Sequence, residues 1–341
     1  MNNELDPDGD LILVLVGHDE GLHTNGLSDE TALGENVTME RSVQNEKIRF
    51  RVSSKHLCLA SPVFRVMLQG KFKEAAVLLS TGTVEIPLED DNPAAFLILL
   101  NIIHGYTRKV PRKITLDLLT QIAILLDKYN CREVVEAFSE RWIDQLRGDV
   151  PRSLTNTLLL WLCIAWIFEE PAEFRAITQI AERESPGVIE GDQVNSLPIP
   201  SSVLNSINAK RQAAISSTLC TLQSFLQKYQ GSTILCRKGG TPGFNCDAMV
   251  LGGLTKGMAS IGLLPPPIPP YEGLSFTKLV GGIRDMQLPA LCDSSKHPNG
   301  WELYSSPPCG VKHGVQSSIN IIEARIRGLS LSDFGRGKDH G

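Results

Sequence analysis

The chain has 341 residues, 42% of them hydrophobic, with 33 Lys and Arg against 38 Asp and Glu for a net charge of -5. That length exceeds one small core and suits two domains, and the weak negative charge offers no basic stripe to displace counterions from phosphates, so nucleic acid is not an expected partner. No segment approaches the roughly 20 consecutive apolar residues that span a bilayer, and Asp6, Asp8 and Asp10 are the opposite of a basic signal-peptide start, which predicts an intracellular protein of cytoplasm or nucleus with no membrane partner.

In chain order, Asp10 to Val16 (DLILVLV) reads as a short buried strand bounded by turn residues. Residues 18–46 follow, polar and glycine-containing, with seven acids against one Arg. They hold too few large apolar side chains to offset ordering entropy, so a disordered insertion is expected. Ile48 to Val52 alternates with period 2, as a half-buried strand does. Ser53 or Ser54 then caps a short helix through Leu59, and Pro62 opens the next, where its missing N–H costs nothing. Val84 to Leu88 is a third strand, and Asp91 or Asn92 caps a helix from Pro93.

Two more amphipathic helices are predicted at Thr115 to Lys128 and Glu133 to Arg147, each with an apolar stripe. Strands first and helices after, without a long βαβ repeat, argue for an α+β fold: a small N-terminal sheet with helical hairpins, then a mostly helical C-terminal region. Gly148 to Pro151 marks a boundary. Helices at Leu154 to Phe168 and Ala172 to Arg183 form an extension over 151–185, and Ser185 to Pro200 links it to a region of unknown role over 201–334. That region starts with a long helix, Ser201 to Gln230, then breaks into short pieces after Gly231. It closes with a helix at Ser317 to Arg327 that Gly328 caps.

Four cysteines, Cys58, Cys131, Cys163 and Cys220, sit in apolar helical patterns and read as small buried hydrophobes. Cys236, Cys246, Cys292 and Cys309, with His297 and His313, fall in the loop-rich final third. Soft ligands of this kind suit a tetrahedral zinc site. Cys309-x3-His313 has ligand spacing, whereas the x9 and x45 gaps lack paired C-x2-C knuckles, so scattered structural thiols are the competing reading. The glycines at 239, 240, 243, 252 and 253 lack the G-x4-G-K-[ST] order of a phosphate loop and read as turns. Leu264 to Tyr271 (LPPPIPPY) is a polyproline spacer or a ligand for an aromatic groove. No G-x-S-x-G, H-E-x-x-H or dinucleotide fingerprint occurs. Cys309 and His313 imitate a thiol–base pair but lack an orienting third group. The expectation is therefore a non-enzymatic protein with neither catalytic nor cofactor-binding residues.

The spaced residues Phe50-x6-Leu57-x3-Ser61-x2-Phe64, with Met67, Phe72 and Glu74, resemble the core signature of a BTB/POZ domain. VEIPLED from Val84, LLNIIHGY from Leu99 and LLTQIAILLDKY from Leu118 are similar to further family segments in the same order. The resemblance covers residues 8–147 and is nearest to members of fungal type. It implies a protein–protein interaction module. Many members carry His where this chain has Ser53; if that His normally meets the acid of the first strand, Asp10 lacks its partner here. Transcription-factor members dimerise by exchanging N-terminal strands after a preceding helix. Only about ten residues, including a turn-like Pro7-Asp8-Gly9, precede the strand here, which leaves a monomer or a different homodimer open. Phe72-Lys73-Glu74 resembles the hydrophobic-x-Glu motif of the cullin-binding loop. It implies a ubiquitin-ligase substrate adaptor, with a self-associating structural or transcription-associated scaffold as the alternative. The competing reading of the residues themselves is that Phe72 closes the core and Glu74 is solvated.

Overall fold

The computed structural model describes residues 2–16, 47–293 and 309–336. The expected insertion at 18–46 and His297 lie outside them. The chain divides into two compact units, Met1–Asp149 and Val150–Gly341. Among the described residues no helix is long and apolar enough to cross a membrane. The fold is α+β: a small N-terminal sheet with helices, followed by a helical second unit.

Among the described residues the first unit holds four strands, β1 (Asn2–Glu4), β2 (Leu11–Val16), β3 (Lys47–Val52) and β4 (Val84–Leu88), in the order β1-β3-β2-β4. β2 runs antiparallel to β3 and parallel to β4, and β1 pairs parallel with β3. The register sets Leu13 opposite both Phe50 and Ile86, and Leu11 opposite Val52 and Val84. One sheet face is therefore continuously apolar and all of these residues are buried. Six helices complete the unit: α1 (Ser54–Ala60), α2 (Pro62–Gln69), α3 (Lys73–Thr81), α4 (Pro93–Ile103), α5 (Leu116–Tyr129) and α6 (Glu136–Leu146). Their starts follow local chemistry. Ser53, Ser61, Asn92 and Thr115 each accept a backbone N–H from the first turn, and Pro62 and Pro93 occupy the first helical positions.

Asp10, without a His at position 53 to meet it, is held by Ser54 instead. Its carboxylate accepts from Ser54 N–H (2.7 Å) and Ser54 Oγ (2.6 Å). The neighbouring Ser53 N–H donates to His104 Nε2 (3.1 Å), while His104 Nδ1 lies 2.9 Å from the Leu100 carbonyl. A carbonyl only accepts and an amide only donates, so Nδ1 carries the proton and the ring is neutral. Burial lowers the His104 pKa, and the His56 ring 5.1 Å away acts in the same direction; the Leu100 carbonyl and Asp6 oppose them.

The second unit is built on α10 (Ser201–Gln230), a 30-residue helix. The hairpin of α7 (Leu158–Ile167) and α8 (Pro171–Glu184) packs beside it, followed by the short α9 (Asp192–Asn195). After α10 come α11 (Gly240–Ser260), α12 (Phe276–Asp285) and α13 (Val311–Glu323). Their apolar faces, with Ile215, Leu222, Val250, Leu254, Phe276, Leu279 and Ile319, make one core.

Four sequence expectations need correction here. The stretch after Gly231 is not a set of short pieces, because α11 runs for 21 residues. Gly243, Gly252 and Gly253 accordingly lie on a helix and not in turns. A Cβ at Gly253 would stand 3.0 Å from Pro289 Cδ and 3.2 Å from the Gln287 carbonyl, so the missing side chain admits a close neighbouring segment. The last helix is α13 and ends at Glu323. Gly328 lies beyond it with φ +74°, and a Cβ there would meet the Arg175 carbonyl at 2.1 Å, so its role is close approach to α8 and not capping. Cys220 is exposed, because it falls off the buried Ile215, Thr218, Leu222 stripe of α10; Cys58, Cys131 and Cys163 are buried as expected.

The guanidinium of Arg211, 0% exposed, crosslinks this unit. It donates to the carbonyls of Ser185 (2.8 Å), Pro186 (3.0 Å), Pro270 (2.9 Å), Tyr271 (2.7 Å) and Leu274 (3.0 Å). The end of the proline-rich segment is thereby fastened to α10, with Tyr271 in the core. Arg211→Met leaves those carbonyls without their donor, and we expect at least ~3 kcal/mol of destabilisation in urea unfolding of the full chain. A variant with an unchanged midpoint would show that the crosslink is dispensable.

For the neutral His104, the unfolded chain binds the proton more readily than the fold. The stability it contributes is complete above the unfolded pKa of about 6.5 and declines as the pH falls below it. Hydrogen exchange of residues 53–57, corrected for intrinsic rate, is expected to lose protection on acidification from about pH 7.5 to about pH 5.5, and to change much less in His104→Gln.

Candidate functional site

Two places in the chain gather functional side chains, one in each unit. The first lies between α2, α3 and β4. α2 ends at Gly70, where a Cβ would stand 2.2 Å from the Val66 carbonyl; the tight turn then delivers Phe72 as the N-cap residue of α3 and Glu74 to its first turn. Phe72 is 54% exposed, so it does not close the core. Glu74 is half-buried. Both line a groove of ≈ 630 Å³ whose walls include Val63, Val66, Met67, Ile86 and Leu88. α3 itself has no fully buried residue, and Leu79 on it is 90% exposed. A helix held so lightly by its own unit presents most of its surface outward.

The groove's far wall rests on Tyr129, the last residue of α5. Its ring stacks on Phe64 at 4.6 Å and meets Phe96 edge-on at 5.7 Å. Its hydroxyl donates to the buried carboxylate of Asp91, which also pairs with Lys128 Nζ (2.7 Å). Burial, the hydrogen bond to Asp91 and that group's charge all raise the Tyr129 pKa, so the phenol stays a donor. Ser61 Oγ donates to the Tyr129 carbonyl (2.6 Å) and accepts from Phe64 N–H (3.1 Å). One hydroxyl thus caps α2 and secures the end of α5. Of the core residues expected from the sequence, Phe50, Leu57 and Phe64 are buried in this same unit, whereas Met67 is half-buried on the groove wall.

The second place lies in the C-terminal unit. Cys236, Cys246, Cys292 and Cys309 converge, with all four Sγ atoms within 4.8 Å of one another. The sulfur–sulfur separations are 3.6 Å for Cys246–Cys292, 3.8 Å for Cys246–Cys309 and 3.0 Å for Cys292–Cys309. Cys236 precedes a turn in which Gly239 (φ +59°) and Gly240 (φ +50°) redirect the chain into α11, bringing Cys246 beside it. Asp247 holds that turn by accepting from the N–H groups of Leu235 (2.6 Å) and Cys236 (3.1 Å). Cys309 N–H donates to Cys292 Sγ (3.1 Å). Burial is the largest influence on the thiols of Cys246 and Cys309, and both pKa values are raised. His313 is not part of this group; on α13 its Nε2 lies 3.4 Å from Ser317 Oγ. Cys309 lies two residues before α13 and His313 sits in the first turn of that helix, outside the group of four thiols, so the predicted Cys–His ligand pair does not form. The thiol–base pairing considered for those two residues is likewise unsupported.

A further cavity of ≈ 490 Å³ in the second unit runs along Leu154, Leu158, Ser185, Val188 and Glu272. Glu272 accepts from Val188 N–H (3.2 Å), and neither a histidine nor a cysteine lines the cavity.

Residues 36–145 match the family model of the BTB/POZ domain. The chain therefore carries a BTB/POZ domain, a protein–protein interaction module. The match begins between β2 and β3, yet β2 registers with both β3 and β4, so the structural unit reaches further towards the N-terminus than the match. No curated protein and no solved structure matched the chain.

Sequence reasoning reached Phe72 and Glu74 but missed α3, whose lack of an apolar stripe leaves no periodic signal. It missed Tyr129 as the support of the groove, because a ring's contacts with Phe64 and Phe96 have no counterpart in local spacing. Ser61→Ala removes the cap and orphans the Tyr129 carbonyl. We expect about 2 kcal/mol of destabilisation in urea unfolding, and an unchanged unfolding midpoint would contradict the geometry.

Proposed function

We propose that this protein is a non-enzymatic intracellular adaptor that docks a cullin-type ubiquitin ligase subunit through the groove beside α3. The reading rests on the resemblance of Phe72-Lys73-Glu74 to the family's cullin-binding motif. The observation that carries it is the placement of that motif: a largely exposed Phe72 next to half-buried Glu74, on the rim of an apolar groove. Covering the phenyl ring and the wall formed by Val63, Val66 and Met67 removes apolar area from water, which is the main source of affinity at such contacts. A basic group on the partner facing Glu74 sets orientation and speeds encounter.

Binding of the full chain to the N-terminal domain of a cullin, measured by titration, tests the reading. Wild type is expected to bind, and Phe72→Ala with Glu74→Ala to bind at least about tenfold more weakly, since one anchor residue is commonly worth about 1–2 kcal/mol or more. Equal binding by the double variant would place the contact elsewhere. Absence of binding by wild type, with light scattering showing a dimer that the same double variant disrupts, would favour the self-associating scaffold.

A further inference from the structure

We propose that Cys236, Cys246, Cys292 and Cys309 bind one zinc ion as four thiolates, in a closed structural site that holds the C-terminal unit together. The argument begins with separation in the chain. These cysteines come from the turn before α11, from α11 itself, from the turn after α12, and from the residue two before α13. Four independent segments converge on one point, with all four sulfur atoms within 4.8 Å of one another.

The distances suit a metal. A tetrahedral site with Zn–S bonds of about 2.3 Å has sulfur–sulfur edges of about 3.8 Å. The separations of 3.6 Å and 3.8 Å from Cys246 lie at that value, and the 3.0 Å between Cys292 and Cys309 is shorter. Each sulfur has the other three within 4.8 Å, whereas a disulfide selects one partner at about 2.0 Å. Four ligands fill the coordination shell and leave no position for a substrate, which makes the site structural and not catalytic.

The surroundings fit the same reading. Cys236, Cys246 and Cys292 are buried in a small cluster of their own, completed by Cys309 and Ala290, with no large apolar side chain in it among the described residues. Such a cluster contributes little by hydrophobic burial alone, and a metal supplies the cohesion it otherwise lacks. The N–H of Cys309 points at Cys292 Sγ, a contact that strengthens when the sulfur carries charge. Asp247 fixes the backbone on either side of the Leu235–Cys236 bond and so orients a ligand from outside the coordination shell. Exposed Arg237 and Lys238 follow Cys236 directly, offering positive charge near a zinc–thiolate group of net charge -2.

Metal binding replaces four S–H bonds by four Zn–S bonds and releases four protons to solvent; no electron is transferred. The test uses the full chain purified under reducing conditions without added chelator. Elemental analysis is expected to give one zinc per chain, retained in His313→Ala and Cys220→Ser and lost in Cys246→Ser. Because Cys246→Ser may not fold, a second measurement uses wild type alone. Zinc is removed and replaced by cobalt(II), and the visible spectrum is expected to show the ligand-field bands of a tetrahedral cobalt thiolate. Three results would each overturn the proposal: wild-type chain with neither zinc nor cobalt uptake, mass spectrometry showing the four cysteines paired as disulfides, or loss of zinc in His313→Ala.

Discussion

Tyr129 ends α5 with its ring between Phe64 and Phe96 and its hydroxyl on the buried carboxylate of Asp91, while its carbonyl receives the Ser61 hydroxyl. Three helices are thereby referred to one residue, since Tyr129 ends α5, Phe64 lies on α2 and Phe96 on α4, whose cap Asp91 immediately precedes. A buried phenol is tolerated only with an acceptor, and a buried carboxylate only with donors; Tyr129 and Lys128 satisfy Asp91 together. The groove wall built from Pro62, Val63 and Val66 owes its position to this arrangement, because α2 is the helix that Ser61 caps.

The C-terminal unit solves a similar problem with different groups. Its irregular segments at 185–186 and 270–274 leave carbonyls facing inward, and Arg211 supplies the five N–H···O contacts that meet them. Such a fork can serve carbonyls from two loops at once, which a lysine's single nitrogen cannot do in the same geometry. Further along the chain, where glycines thin the apolar surface of α11, cysteines take the place of large hydrophobes. The two units thus differ in how they offset sparse packing: an aromatic and acid network in the first, a guanidinium and a thiol cluster in the second.

How far the sequence could be read depended on the range of the interaction involved. The helices at 54–60, 62–69, 93–103 and 201–230 and the strands at 11–16 and 84–88 were legible because caps, prolines and periodic apolar residues act over a few positions. α3 and α11 were not. α3 buries no residue fully and therefore has no stripe to detect, and α11 carries glycines whose purpose is the approach of Met286 to Pro289 from elsewhere in the chain. Cys220 and His313 were misplaced for a related reason. Residue type alone suggested burial for the one and ligation for the other, while helical phase put Cys220 outside the stripe and the thiols gathered without His313, which lies on α13.

Composition and local pattern were enough for an α+β first unit with β2, β3 and β4 and every α-helix but α3, because those features are written in neighbouring residues, while the motif at Phe72 and Glu74 came from the family resemblance. Which four cysteines meet, what lines the groove and where a charged arginine can be buried were decided only on folding. Those properties join positions 10 to 73 residues apart in sequence, from Cys236 and Cys246 to Cys236 and Cys309, and spacing along a chain carries no information about which distant segments close on one another.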